Sequence, residues 1–205
     1  MKSKILKRGQ KIYLPFKRLF DIFFSFLLIL LLSPLFIVLF IIVFIDTKGF
    51  PIFRQRRIGR NDKEFLILKF RTMNVNTPDV PTHLLENPEQ YITKFGKYLR
   101  KSSLDELPQL FNIFIGHMSF VGPRPALWSQ LDLISLRDKV DVQIIRPGLT
   151  GWAQTHGRDV ISIEEKVSLD EYYLKHFNLF LDIKIFFLSI SHVISEKDVL
   201  EGKQS

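Results

Sequence analysis

Asp105 and Glu106 are the residues best suited to chemistry. The two carboxylates are adjacent in Ser103-Leu104-Asp105-Glu106-Leu107-Pro108-Gln109-Leu110, where a helix is expected to begin. Proline is well placed in a first helical turn and poor later, so the helix starts near Leu107, or starts at Ser103 and bends. Either way the pair lies close to a helix N-terminus, where partial positive charge and free backbone donors favour anions. That setting favours the ionised carboxylate, which a nucleophile or a magnesium ligand needs. A plainer reading stands beside it: Ser103 and Glu106 also spell a capping box.

Basic residues that could serve an anionic substrate are spread along the chain. Arg124 lies in Gly122-Pro123-Arg124-Pro125, and flanking prolines fix its backbone for bidentate contact with a phosphate. Lys69 and Arg71 fall on one face of a predicted strand, where they are either solvated or grip a phosphate. Arg100 lies in the short basic amphipathic stretch Lys94–Lys101. A glycine-rich segment runs Arg146-Pro147-Gly148-Leu149-Thr150-Gly151-Trp152-Ala153-Gln154, then Gly157-Arg158. Glycines let a backbone approach a ligand closely. This is neither a Walker nor a Rossmann pattern. Trp152 could stack on a base or belong to the core.

The elements that position these residues follow from pattern. Pro51–Arg57 and Glu64–Met73 read as a hairpin around the turn residues Gly59-Arg60-Asn61-Asp62. Asn74–Glu89, with three prolines, reads as an irregular excursion. Ser102–Ile115 reads as a helix stopped by Gly116. Met118–Val121 and Val140–Ile145 are strand candidates. Ser162 with Glu165 is a capping box opening a helix through Tyr173. In Lys175–Ser195 the polar positions Lys175, Asn178, Asp182, Ser189 and His192 recur at helical spacing among apolar residues, the pattern of an amphipathic helix lying on a surface.

Residues Ile22 to Ile45 carry no charge over 24 positions. As one straight helix they would reach about 36 Å, enough for a bilayer core of about 30 Å. Ser33-Pro34 interrupts the run at its middle, and proline bends or breaks a helix. Both flanks are basic: Lys2, Lys4, Lys7, Arg8, Lys11, Lys17 and Arg18 before, Lys48, Arg54, Arg56, Arg57 and Arg60 after. Positive flanks favour the cytoplasmic side at both ends. A re-entrant helix–break–helix meets both observations; a kinked spanning helix is the alternative. The chain therefore divides into a basic N-terminus with a membrane helix, 1–48, and a membrane-associated cytosolic part, 49–205.

Composition narrows the rest. Lys plus Arg number 29 against 21 Asp plus Glu, a formal charge of +8 that suits a polyanionic partner. There is no cysteine, which excludes disulfides and thiol catalysis, and the five histidines show no zinc-ligand spacing. A basic nucleic-acid binder would explain the charge but not the acidic pair or the Pro-Arg-Pro turn, so no nucleic-acid partner is expected. An inert membrane scaffold is a second rival.

Six motifs in order carry a resemblance: Lys17-Arg18 with Asp21, Ser33-Pro34, Lys69-Phe70-Arg71-Thr72-Met73, Asp105-Glu106-Leu107-Pro108-Gln109, Val121-Gly122-Pro123-Arg124-Pro125, and Arg146-Pro147-Gly148-x-Thr150-Gly151-x-Ala153-Gln154. Together they resemble the bacterial sugar transferases, the small monotopic polyprenyl-phosphate phosphoglycosyl transferases, over about residues 14 to 200. The resemblance implies an α+β fold: a re-entrant membrane helix, a small cytoplasmic domain of helices and short β-hairpins, and a C-terminal interfacial helix. It implies a UDP-sugar and a polyprenyl phosphate as substrates, at the cytoplasmic face of a bacterial inner membrane. Asp105 is then the nucleophile and the Mg2+ ligand, and Glu106 assists it. Arg124, Lys69, Arg71 and Arg100 bind substrate phosphate. Arg146, Gly148, Thr150, Gly151, Gln154 and Arg158 form the nucleotide-sugar loop, and Ser33-Pro34 makes the membrane break. A ternary-complex transfer, with Asp105 only a metal ligand, is the mechanistic alternative.

Overall fold

The computed structural model describes residues 6–77, 87–157 and 161–195. The chain opens with a bent helix pair, α1 (Arg8–Leu31) and α2 (Ser33–Thr47), whose axes differ by 65°. Proline causes the bend. Pro34 lies in the first turn of α2 and cannot donate to the carbonyl four residues back, that of Leu30. Ser33 takes over: its Oγ donates to the Leu30 carbonyl at 2.8 Å. The break therefore leaves that carbonyl satisfied within the apolar run.

Helix α1 is inside out by the standards of a water-soluble protein. Its buried residues are Gln10, Asp21 and Ser25, while Leu19, Phe23, Phe26 and Leu30 are all more than half exposed. The polar face is knitted to the rest of the chain. Gln10 donates to the Leu174 carbonyl, and Asp21 accepts from Ser119 Oγ and the Phe120 amide. Lys17 and Tyr13 both reach Asp182. No single described helix is long and apolar enough to cross a membrane; α1 and α2 pass that test only as a bent pair.

A hairpin follows, β1 (Ile52–Ile58) and β2 (Glu64–Phe70), with Gln55 opposite Ile67. Phe65 and Ile67 point inward from β2 and pack on Leu110, Ile113 and Met118. Helix α3 (Lys94–Lys101) is capped by Thr93, whose Oγ1 accepts from the Gly96 amide. Next come a single 3-10 turn, Leu104–Glu106, and α4 (Gln109–Ile115). The expected helix over Ser102–Ile115 is thus two pieces. Asn112 on α4 bonds the Leu68 amide and the Leu66 carbonyl and so fixes α4 against β2.

Strand β3 (Ser119–Val121) pairs in parallel with β4 (Gly148–Thr150). Met118–Val121 holds its expected strand, whereas Val140–Ile145 is no strand: Val142–Ile144 is a buried 3-10 turn. Its apolar run reflects full burial, which periodicity cannot tell from a buried strand. Between them α5 (Leu131–Lys139) packs on α6 (Ile163–His176), which opens on the expected Ser162 cap and runs three residues past Tyr173.

The C-terminal stretch is divided at Phe177-Asn178, and Asn178 Oδ1 accepts from the Leu181 amide at the start of α7 (Leu179–Ser195). Two members of the expected polar stripe, Asp182 and Ser189, face the protein, while Lys175 and Asn178 are exposed. Asp182 is buried and accepts from Tyr173, and Ser189 bonds Thr150. The outer face carries Phe180 and Phe187, 83% and 64% exposed. Helices α1 and α7 therefore share one logic: polar side chains inward, apolar side chains outward.

Candidate active site

The turn holding Asp105 and Glu106 is shaped by Ser103, whose φ of 56° lies in the left-handed region. Ser103 makes no side-chain cap, so the capping box is not formed. The Glu106 side chain turns instead to two cations. Lys69 Nζ from β2 donates to Glu106 Oε1 at 2.7 Å, and Arg124 Nη2 donates to the same oxygen at 3.1 Å. Arg100 on α3 also acts on Asp105 through its charge, and its Nε donates to Thr72 Oγ1 at 2.9 Å. Local cations, rather than the end of the short α4, thus set the electrostatics of the pair.

The two carboxyls are driven apart. Burial pushes Asp105 up to about 6; the Glu106 charge adds to this while Lys69, Arg100 and Arg124 oppose it. Burial also works to raise Glu106, but the charges and hydrogen bonds of Lys69 and Arg124 outweigh it and hold Glu106 well below the usual range. Glu106 is therefore a fixed anion, and Asp105 is a carboxylate whose ionisation is held near neutrality. Two neighbouring carboxyls with separated affinities for a proton are a common basis for divided roles.

A scaffold of main-chain bonds places Arg124. The Gly122 amide donates to the Thr150 carbonyl at 2.8 Å and the Gly148 amide to the Pro123 carbonyl at 2.9 Å. These backbones meet so closely that a Cβ on Gly148 would lie 2.1 Å from the Gly122 nitrogen, and one on Gly151 would lie 2.1 Å from the Gly122 oxygen. The glycines serve the approach of two protein strands. Arg137, 2% exposed, donates from Nη1 to the Arg124 carbonyl at 2.8 Å and pairs with the equally buried Asp170 at 2.5 Å. Arg57 on β1 donates to the Pro125 carbonyl at 3.0 Å. Burial, then the nearby Arg124 charge, brings Arg57 down to about 10, and Glu106 opposes this.

Of the residues expected to bind substrate, Lys69, Arg100 and Arg124 come together with Asp105 and Glu106. Arg71 does not: its Nε is held by the Phe50 carbonyl and its guanidinium lies over Phe53. Gly148, Thr150 and Gly151 brace the Pro-Arg-Pro turn from behind. Gln154 keeps both side-chain amide atoms buried with no protein partner among the described residues. Arg146 lies at the opposite end of α4, donating to the Gly116 carbonyl at 2.9 Å. Trp152 stacks on Tyr172 and packs at a tilt against His156, and Arg158 lies outside the described residues.

Arg57, Arg137 and Asp170 were not singled out from sequence. Strand alternation carried a signal for Arg57, since Arg54 and Arg56 occupy the exposed face and Arg57 the other. No local signal links Arg137 to Asp170. Among the described residues no group of three or more His, Cys, Asp or Glu could cage a metal. A single carboxylate such as Asp105 still suits Mg2+, which commonly takes one or two carboxylates and completes its shell with substrate phosphates and water.

Comparison with known proteins adds an independent line. The family described as "Bacterial sugar transferase" matches residues 12–196. The sugar transferase EpsL of Bacillus subtilis is 40% identical over 185 residues, covering 89% of this chain and 89% of the relative. A sugar transferase of Haemophilus influenzae is 39% identical over 95% of this chain, which spans 44% of that longer protein. The UDP-glucose:undecaprenyl-phosphate glucose-1-phosphate transferase of Klebsiella pneumoniae is 40% identical over 87% of this chain and 40% of its own length.

Proposed function

The chain belongs to the bacterial sugar transferase family, and from that premise we propose that it moves a sugar 1-phosphate from a UDP-sugar to a polyprenyl phosphate, with Asp105 as the nucleophile. The observation that carries this reading is the divided acidic pair: Asp105, pushed up to about 6, beside the permanently ionised Glu106 and within a ring of cations. The Klebsiella relative, a UDP-glucose:undecaprenyl-phosphate glucose-1-phosphate transferase, agrees with these substrate classes.

In the first half-reaction an Asp105 carboxylate oxygen attacks the β-phosphorus of the UDP-sugar. A phosphorus–oxygen bond forms to Asp105 as the bond to the bridging oxygen breaks, and UMP leaves with that electron pair. In the second, a phosphate oxygen of the lipid attacks the same phosphorus, and the bond to Asp105 breaks to return the carboxylate. Two bulky substrates, one soluble and one in lipid, then use one site in turn. Arg124 offers the planar fork suited to the oxygens that gain charge. Lys69 and Arg124 keep Glu106 ionised, and Glu106 in turn holds both cations in place. Bound at Asp105, Mg2+ would neutralise the diphosphate.

The bent helix pair and the outward apolar face of α7 support a membrane-associated enzyme; on this reading the chemistry takes place at the cytoplasmic face of a bacterial inner membrane, with both ends of the pair on one side. The two-sided basic flanks support that arrangement.

The test is a mass spectrum of the enzyme incubated with UDP-sugar and magnesium, without lipid acceptor. Wild type gains one phosphosugar on the peptide holding Asp105 and releases UMP, and polyprenyl phosphate discharges it. Turnover at the normal rate in Asp105→Asn would falsify the reading. Full turnover of the wild type with no adduct would favour a ternary complex.

A further inference from the structure

Three arginines outside the acidic site gather at the other end of α4. Arg18 of α1 donates from Nη1 to the Ile113 carbonyl at 2.6 Å and from Nη2 to the Phe114 carbonyl at 2.8 Å. Arg146 Nε donates to the Gly116 carbonyl at 2.9 Å, and Arg60 Nε, from the β1–β2 turn, to the Ile144 carbonyl at 2.9 Å. The last carbonyls of a helix attract cations, which accounts for Arg18 and for one nitrogen of Arg146. It leaves the Nη atoms of Arg60 and Arg146 without a protein acceptor among the described residues. Burial, then the Arg18 and Arg60 charges, pull Arg146 below its ordinary range, and the opposing acid is Asp21. Asp21 is itself buried and already accepts from Ser119 and Phe120. The cluster is thus rich in donors and short of anion.

Its surroundings are apolar and outward-facing. Phe26, Phe114 and Ile115 are 56%, 38% and 60% exposed, and the Phe26 and Phe114 rings lie 6.0 Å apart. This strip continues the outward apolar face of α1. Charge that binds phosphate, at the edge of a surface that binds acyl chains, is the chemistry of a phospholipid site.

We propose that Arg18, Arg60 and Arg146 hold the headgroup phosphate of one anionic phospholipid whose acyl chains lie along Phe26, Phe114 and Ile115. The lipid is a resident one and not the acceptor. The acceptor phosphate must reach a phosphorus on Asp105, and the length of α4, about 10 Å at roughly 1.5 Å per residue, separates the two places. The inference rests on the membrane placement given above and not on the transfer reaction.

The test uses the full chain in nanodiscs of phosphatidylcholine with a minor fraction of phosphatidylglycerol, followed by mild detergent transfer and native mass spectrometry. Wild type retains one phosphatidylglycerol per chain, and so does Asp105→Asn, which separates this result from failure of the proposed activity. Arg60→Gln with Arg146→Gln lowers retention by more than about tenfold. Arg60→Glu alone changes an exposed turn residue and lowers retention with the fold intact, as read by circular dichroism. Equal retention in wild type and Arg60→Glu, equal retention of phosphatidylcholine, or displacement of the bound lipid by equimolar undecaprenyl phosphate would each overturn the proposal.

Discussion

Lys69 Nζ stands 2.7 Å from Glu106 Oε1, joining the hairpin to the acidic turn across 37 residues of chain. The same oxygen accepts from Arg124 at 3.1 Å. Glu106 is therefore the point at which three separate segments meet, and its charge raises the neighbouring Asp105 against the opposing charges of Lys69, Arg100 and Arg124.

A pH dependence follows. Adduct formation needs ionised Asp105, whose carboxyl is pushed up to about 6. Single-turnover UMP release should be flat above about pH 7 and fall about tenfold per unit below the inflection. Glu106 raises Asp105 and Lys69 lowers it. Glu106→Gln should move the acid limb to lower pH, and Lys69→Met should move it to higher pH. An unmoved inflection in both variants would assign the limb to another group.

Arg124→Lys keeps the charge and loses the planar fork. Turnover should fall by about a hundredfold or more, with the protein still folded and membrane-bound. Wild-type rates in the lysine variant would reduce Arg124 to a diffuse charge.

The buried pair Arg137–Asp170 separates stability from positioning. Arg137→Met leaves Asp170 buried without its cation and should cost about 3–5 kcal/mol, read by thermal unfolding in detergent. Replacing both, Arg137→Met with Asp170→Leu, should recover most of that loss. It does not restore the bond from Arg137 to the Arg124 carbonyl, so turnover should stay low. Full turnover in the stable double variant would show that Arg124 is positioned without Arg137, by the prolines, the main-chain bonds of Gly122 and Gly148, and Arg57.

Topology turns on Ser33 and Pro34. Cysteines at Lys7 and Lys63 should both resist an impermeant thiol reagent added outside intact cells. Pro34→Leu restores the amide that Leu30 lacks and allows one straight helix. Labelling should then appear at one of the two positions, with loss of activity. Protection of both cysteines in Pro34→Leu would mean that the packing of α1, through Lys17 and Asp182, holds the bend without the proline.

Much of the architecture was legible from sequence because it is local. The hairpin follows from alternation and turn residues between Pro51 and Met73, the α6 start from Ser162 and Glu165, and the bend from one proline in an apolar run. The acidic pair and the Pro-Arg-Pro turn were legible as residue types that suit phosphate chemistry. Their partners were not. Ser103 and Glu106 carry a capping signature, yet Glu106 is drawn to Lys69 and Arg124, since two cations in a half-buried setting outweigh one backbone amide. Gly148 and Gly151 read as a ligand loop, yet they admit the Gly122 backbone. The polar positions of α7 read as one side of an amphipathic helix lying on a surface, and the structure adds that Asp182 and Ser189 turn inward to Tyr173 and Thr150 while the outer surface is apolar. Sequence determined which segments bend, pair and cap, since those outcomes depend on neighbours a few residues away. Only the tertiary structure decided which charges meet, because Coulombic and hydrogen-bond partners are set by distance in space, and residues such as Lys69, Glu106 and Arg124 acquire that distance only when the chain is packed.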